Sequence, residues 1–457
     1  MKHNIFCCFL LVLLMAFPSL AEGKTRLFRI ELSNKQGCLY TLKHPEQFLS
    51  ERAIARRQRQ HLEIDSTDLP VSQAYIDILQ GKGVKVVGKS KWNNSVLVCS
   101  DSLSLPESIS GLPFVSSITK VYEEPDSLKP FECPRRTKPF DEITSEQNST
   151  AKQLSMIHLD ELHEAGYRGQ GMLIAVLDGG FQYVDHIPAL TRIKKAGERD
   201  FVYPPSQNIF REHSHGTKVL SVMAVNEKDV FTGSAPEAEY WLLRCEQTLT
   251  ESLAEEDFWT AAAEFADSVG VDVINSSLGY FDFDDDEQNY PYRMLDGHSM
   301  MISRMASMLA KKGIVLVCSA GNSGDESWKK ITIPADADDV LTVGAVSADG
   351  INTAFSSVGP TADGRVKPDV MAMGGLCCVI SGDGEIREQN GTSFASPLIA
   401  GAVACLWQAL PGKTACEILE LVRQSGDRYQ WPDNIYGYGI PDFGKIVDPG
   451  KTRIGGN

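Results

Sequence analysis

Apolar positions along the chain fall into three rhythms, and each predicts a different kind of structure. The first is unbroken: IFCCFLLVLLMAF (5–17) has no polar interruption. The second runs from residue 25 to about 123 in short pieces. RLFRIELS alternates as a strand does, LSERAIARRQRQ reads as a basic helix, and VSQAYIDILQGKG as a second helix ending at Gly81. VKVVGKSKWNNSVLVCS reads as two strands across a turn, and LPESISGLPFVSSITKVY as a short helix and a last strand. Small helices and strands mixed in this way predict a compact α+β module. Residues 124–150 lose all periodicity and are rich in Pro, Ser, Thr and charge, the composition of a linker. The third rhythm begins at 151. GMLIAVLD, YWLLRC, VDVINSS, GIVLVCSA and VLTVGAV read as strands, and HGTKVLSVMAVN, ESLAEEDFWTAAAEFADSVG and SMMISRMASMLAKKG as helices between them. This βα alternation predicts an α/β fold, a parallel β-sheet flanked by helices on both faces. Functional side chains in such folds gather at the carboxyl ends of the strands. The apolar stretch SFASPLIAGAVACLWQAL reads as a buried helix.

The unbroken run changes the picture of where the chain goes. Lys2 and His3 precede it, and Ser19 and Ala21 follow at the spacing of a cleavage site, so residues 1–21 read as a secretory signal peptide. The alternative is a membrane anchor, for which the run is short. After its removal no membrane span is expected, and the location is secreted or periplasmic. An apolar content of 42% supports a large core, and a net charge of -16 argues against nucleic acid as a partner. Of eleven cysteines two lie in the leader, which leaves nine, so at least one is free or pairs with another chain. Cys318 and Cys405 fall in apolar runs and read as core residues, and the adjacent Cys377 and Cys378 are poorly placed to bridge each other.

Three segments place a reactive side chain where a strand ends or a helix begins. Asp178 closes the strand IAVLD before two glycines, His215 opens a helix before Gly-Thr, and Ser393 lies in NGTSFASP. Each has a plain structural reading. The aspartate caps a turn, the histidine is a core residue with His213 as a local competitor, and Thr392 caps a helix whose first turn or so includes Pro397. Together they meet one chemical need. A serine hydroxyl becomes a nucleophile when an imidazole takes its proton, and a buried carboxylate fixes the imidazole tautomer.

The order Asp–His–Ser, with D-G-G, H-G-T and G-T-S-x-A-x-P, resembles the subtilisin-like serine proteases. SAGN (319–322), NSSLG (275–279), FSSVGP (355–360), VKPDVMA (366–372) and YGYGIPDF (436–443) extend the resemblance over residues 151 to about 447. It implies a serine endopeptidase with polypeptide substrates. Ser393 is then the nucleophile, His215 the general base and Asp178 its orienting carboxylate. Asn322 donates to the oxyanion beside the Ser393 N–H. Ser277, Leu278 and Gly279 pair with an extended peptide, and Ala320 and Gly321 border the pocket for the residue before the scissile bond. The resemblance also makes the module before residue 123 a propeptide, an intramolecular inhibitor and folding aid. The expected layout is signal 1–21, propeptide-like domain 22–123, linker 124–150, catalytic domain 151–448 and tail 449–457.

One insert departs from the resemblance. YFDFDDDEQNYPYRMLDG places Asp282, Asp284, Asp285, Asp286 and Glu287 just after the substrate strand. These are oxygen donors suited to structural calcium, although the spacing fits no EF-hand, and a solvated acidic loop is the other reading. Such a loop also favours basic residues in a nearby substrate. No cofactor is required for the chemistry. Two other functions stay in view. A silent binding protein of the same fold would lack a triad residue. An α/β-hydrolase esterase would need G-x-S-x-G and the order Ser–Asp–His.

Overall fold

A computed structural model of the protein describes residues 24–447 except 130. The expected signal peptide and tail lie outside the described residues. The N-terminal domain has strands β1 (Arg26–Leu32), β2 (Lys85–Ser90), β3 (Ser95–Ser100) and β4 (Val115–Glu123), and helices α1 (Glu51–Arg59) and α2 (Gln73–Gly81). The strands form an antiparallel sheet in the order β2-β3-β1-β4. The two-residue period sorts its side chains. Phe28, Ile30, Val96 and Val98 face Ile76 and Leu79 in the domain's own core. Leu27, Leu97 and Val121 face the other way, into a cluster with Phe258 and Trp259 of the larger domain.

The larger domain is built on seven parallel strands: β5 (Leu173–Asp178), β6 (Lys194–Asp200), β7 (Glu239–Arg244), β8 (Val273–Ser276), β9 (Val315–Ser319), β10 (Val340–Val346) and β11 (Val370–Met373). Their order is β11-β10-β9-β8-β5-β7-β6. Helices α3 (His215–Ala224) and α6 (Thr392–Ala409) pack on one face, and α4 (Ala254–Val269) and α5 (Met301–Lys311) on the other. The predicted α/β class and its two covered faces are what the molecule has. Helix α6 is long and apolar enough to cross a membrane by length and composition, yet it is almost wholly buried in the core. All nine described cysteines are free thiols, with Cys318 and Cys405 buried as read.

Three expectations need correction. The sheet has two further strands, β6 and β11, both at its edges. KKAGERD of β6 has no buried residue and is held by backbone pairing to β7, so its side chains carry no strand signal. Helix α7 (Ala415–Gln424), started by a Thr414–Glu417 capping box, was also not anticipated. Finally, the linker is not loose throughout. Tyr183 Oη donates to the Pro134 carbonyl, Phe140 packs on Tyr183 at 5.3 Å, Arg136 stacks on Phe140 at 4.0 Å, and the Ser149 N–H donates to Val230 O at 2.9 Å.

Candidate active site

The carboxyl ends of β5, β8 and β9 meet at one cleft of about 620 Å³, and the start of α6 is hydrogen-bonded to two of its lining residues, Ser277 and Asn322. Asp178 is the last residue of β5 and is fully buried. Its Oδ1 accepts the Gly179 N–H at 2.8 Å, and both its oxygens face His215 Nδ1, at 3.0 and 2.9 Å. His215 is the first residue of α3. Glycine must follow it, because a Cβ on Gly216 would lie 2.9 Å from the Asp178 side chain and collide with the Gly180 carbonyl. Burial works against a protonated imidazole here. The Asp178 carboxylate outweighs it, with help from Glu246, and holds His215 above its ordinary value. His213 is pushed down by burial and by His215, and reaches His215 only through its ring Nδ1, which accepts that residue's N–H at 3.3 Å.

Ser393 is the second residue of α6. Its hydroxyl donates to the Ser277 carbonyl at 3.4 Å, and among the described residues no hydrogen bond joins it to His215. The Phe394 ring lies 6.0 Å from the His215 ring, which places the start of α6 against the imidazole. The Ser393 N–H lies in the first helical turn, where backbone donors have no intrahelical partner. Pro397 falls inside the helix rather than at its first turn. Lacking an N–H, it leaves the Ser393 carbonyl free, and the Ser277 hydroxyl donates to that carbonyl at 3.0 Å. Thr392 is not the cap, which is Gly391. Instead its N–H and hydroxyl donate to Asn322 Oδ1, at 2.9 and 3.0 Å. With its oxygen so held, Asn322 lines the cleft, and its amide N–H₂ makes no hydrogen bond to a described residue.

Ser277, Leu278 and Gly279 line the cleft opposite Gly321 and Asn322, with Thr332 between them. Gly321 has φ +106, and a Cβ there would lie 2.9 Å from Ser357 Oγ. Ala320 was expected beside it, but it lies behind the lining. It is fully buried, its N–H donates to Val343 O, and its carbonyl accepts the Thr332 N–H. The Tyr280 backbone pairs with Ile333, whereas Gly279 makes no backbone hydrogen bond among the described residues. That leaves an edge for an added strand. Thr332 and Glu246 have no place in the sequence reading, and Thr392 has one only as a cap. Only Glu246 carried a usable signal, since it stands two residues past the carboxyl end of β7.

The acidic insert closes on itself through the Tyr290 N–H, which donates to the Phe281 carbonyl at 2.8 Å, and the Phe283 N–H, which donates to Asn289 Oδ1 at 2.6 Å. Asp284 Oδ2 accepts the Glu251 N–H at 3.0 Å, Asp285 accepts the Glu287 N–H, and Asp286 faces Asn289.

Residues 169–439 match the profile of the Subtilase family. The chain belongs to the subtilase family. Residues 27–135 of this subtilase match the Bacteroidota propeptide domain of Peptidase S8, so the N-terminal domain is a propeptide domain. Subtilisin DY of Bacillus licheniformis is 28% identical over 267 residues, covering 58% of this chain and 87% of the relative. Serine protease AprX of Bacillus subtilis is 28% identical over 313 residues, covering 62% and 67%. A solved structure of the MycP3 protease from the type VII (ESX-3) secretion system shares the fold, with a TM-score of 0.53 at 22% identity over 66% of this chain and 89% of that one. This subtilase is a serine endopeptidase.

Proposed function

We propose that this subtilase cuts peptide bonds through Asp178, His215 and Ser393, with the Asn322 amide and the Ser393 N–H receiving the oxyanion. The observation that carries this reading is the buried Asp178 carboxylate on His215 Nδ1 at 2.9 Å, facing a helix start that presents Ser393 beside an anchored Asn322. Asp178 holds the Nδ1–H tautomer, so Nε2 is free to take the Ser393 proton once the hydroxyl leaves the Ser277 carbonyl. The alkoxide attacks the scissile carbonyl, and negative charge grows on its oxygen. Two N–H donors already aimed at that point stabilise it without reorganisation. His215 then returns the proton to the leaving amine, and water repeats the cycle on the acyl-enzyme. An extended substrate pairs along Ser277–Gly279.

The propeptide domain is read as the inhibitor and folding aid of the same molecule, and the leader 1–21 as its route out, to the periplasm or beyond. Asp126 is still paired with Lys24 at 2.6 Å, and the Phe131 ring lies 6.0 Å from His213. Asp126 and Ser127 form a turn, and between the two contacts Ser127 and Lys129 are exposed. This short stretch, rather than the whole linker, is the place for self-cleavage. A fluorophosphonate probe should label the parent at Ser393. Ser393→Ala should take no label, remain a full-length folded precursor, and lose turnover on the order of 10⁶. Asn322→Ala should lower kcat by roughly 10²–10³ with little change in KM. Labelling at another serine would refute the triad, and a raised KM with full kcat would refute the role of Asn322.

A further inference from the structure

The cleft is lined by four carboxylates, Asp178, Glu246, Glu251 and Asp284, and by no lysine or arginine. Asp178 is committed to His215. Glu246 accepts no hydrogen bond from any described residue, although it stands beside the Asp178–His215 pair; a Cβ on Gly179 would lie 3.6 Å from its Oε2. The nearest cation, Arg244, is spent elsewhere: it donates to Asp200 at 3.0 Å and to the Gly179 carbonyl at 3.1 Å, and pairs with Glu212 at 3.6 Å. Farther along the cleft, the Asp284 N–H donates to the Glu251 carbonyl at 3.0 Å, and Asp284 Oδ2 accepts the Glu251 N–H in return. The acidic insert is thereby stitched to the loop after β7, and of its acids Asp284 lines the cleft. Burial, and after it Asp178, pushes Glu246 up to about 7. Burial, and after it Glu246 and Asp284, pushes Glu251 up to about 8. Among the described residues neither Glu246 nor Glu251 forms an ion pair, the one arginine nearby being taken up by Asp200 and Glu212.

Two kinds of cation would answer. A metal ion needs donors that converge, and no three of these carboxylates bring oxygens within 4.8 Å of one another; among the described residues only His298, Asp338 and Asp363 do so, outside the cleft. The cleft acids stand in two places instead, Glu246 beside the Asp178–His215 pair and Glu251 bonded to Asp284, and separate side chains of an extended peptide can reach both. Successive side chains of such a peptide point to opposite sides. If the residue before the scissile bond, P1, enters between Gly279 and Gly321, the next, P2, faces the wall of His215 and Glu246. We propose, resting on the proteolytic reading of this cleft, that the enzyme selects peptides with lysine or arginine on the acyl side of the scissile bond. Glu246 receives the P2 side chain, and Glu251 with Asp284 receives one farther from the bond. Lys129, which is exposed, supplies such a cation within the chain's own linker.

The test uses the mature enzyme and a peptide library whose products are sequenced by mass spectrometry, followed by paired coumarin peptides with lysine or norleucine at P2. Basic residues should be enriched at P2, and kcat/KM should favour lysine by about tenfold or more, the discrimination expected of a charged hydrogen bond. Glu246→Gln should collapse that ratio. Should this variant fail to fold, the parent itself decides, because its lysine-to-norleucine ratio should fall as NaCl is raised from about 0.05 to 0.5 M. A library with no basic enrichment, or a ratio indifferent to both salt and Glu246→Gln, overturns the inference. Fluorophosphonate labelling of Ser393 keeps the two failures apart. A labelled enzyme without basic preference sinks this inference alone, and an unlabelled, inactive one sinks the proteolytic reading beneath it.

Discussion

Helix α4 and the cleft are both acidic, and the fold treats them in opposite ways. On α4, Asp257 receives two bonds from Arg29, at 2.8 and 2.7 Å. Asp267 receives Arg56 at 2.6 Å, Arg57 at 2.9 Å and Lys91 at 2.9 Å. Glu264 accepts the Ser90 hydroxyl and the N–H groups of Lys91 and Trp92, at 2.6, 2.7 and 2.9 Å. Every one of these donors belongs to the propeptide domain. Burial alone would raise Asp267, yet Lys91, Arg57 and Arg56 hold it below the ordinary carboxylate range. Glu246 in the cleft, with no such partners, moves the other way. Asp257 and Glu264 also stay above their ordinary values, because burial there outweighs Arg29 and Lys91, so the two regions differ in whether the acids have partners and not in the direction of every shift. Acids met by the molecule's own cations form an interface, and acids left unmet wait for a ligand.

The largest effect that would break this comparison lies at Asp267. In the Ser393→Ala background, where the chain stays whole, Asp267→Ala leaves Arg56 buried without a carboxylate and Arg57 with Asp68 alone. The loss should be about 3–5 kcal/mol, read from denaturant unfolding. A loss below about 1 kcal/mol would mean that the interface does not need its charges. Glu246→Gln in the same background should act in the opposite sense. A carboxyl whose folded value is raised loses stability as pH climbs from its ordinary value to its folded one, so the parent pays a penalty that is complete above pH 7 and absent near pH 4. The Gln variant should therefore be more stable than its parent at pH 8, by on the order of 1 kcal/mol, and equal to it at pH 4. A variant less stable at pH 8 would show that Glu246 has a partner within the molecule.

Some of this was legible in the sequence, and the reason is locality. Asp178, His215 and Ser393 stand at strand and helix ends that their own neighbours define, so short motifs announce them. The inner strands of the sheet are continuous apolar runs because both faces are covered. Strand β6 is held by backbone alone at an edge and leaves no such trace. The basic run of α1 reads only as a basic helix, yet Arg56 and Arg57 are buried, because Asp267, which receives both, lies some two hundred residues away. Thr392 reads as a cap for the same reason: its partner Asn322 is seventy residues upstream. Glu246 and Glu251 lie in a loop without a motif, and only the cleft around them gives them meaning.

The smallest effect sharpens the comparison most, because it titrates the unmet acids directly. Around Glu246 the charged groups are Asp178, His215, Arg244 and Glu255, and around Glu251 they are Glu246, Asp284, Asp282 and Glu255. A substrate lysine keeps its charge throughout the neutral range, so only the enzyme's carboxyls change. Below about pH 6, Glu246 and Glu251 are protonated in the free enzyme and a P2 lysine finds no charge to meet. As pH rises through about 7 and then about 8 they ionise, and attraction grows. Deprotonation of His215 also raises kcat/KM over part of this range, but equally for both peptides, so their ratio removes it. The lysine-to-norleucine ratio of kcat/KM, which reports the free enzyme, should therefore rise severalfold between pH 5.5 and 8.5. In Glu246→Gln the step near 7 should vanish and only the weaker, later one remain. A strong lysine preference that is flat across this range would place the responsible charge on groups ionised throughout, and Glu246 would lose its role.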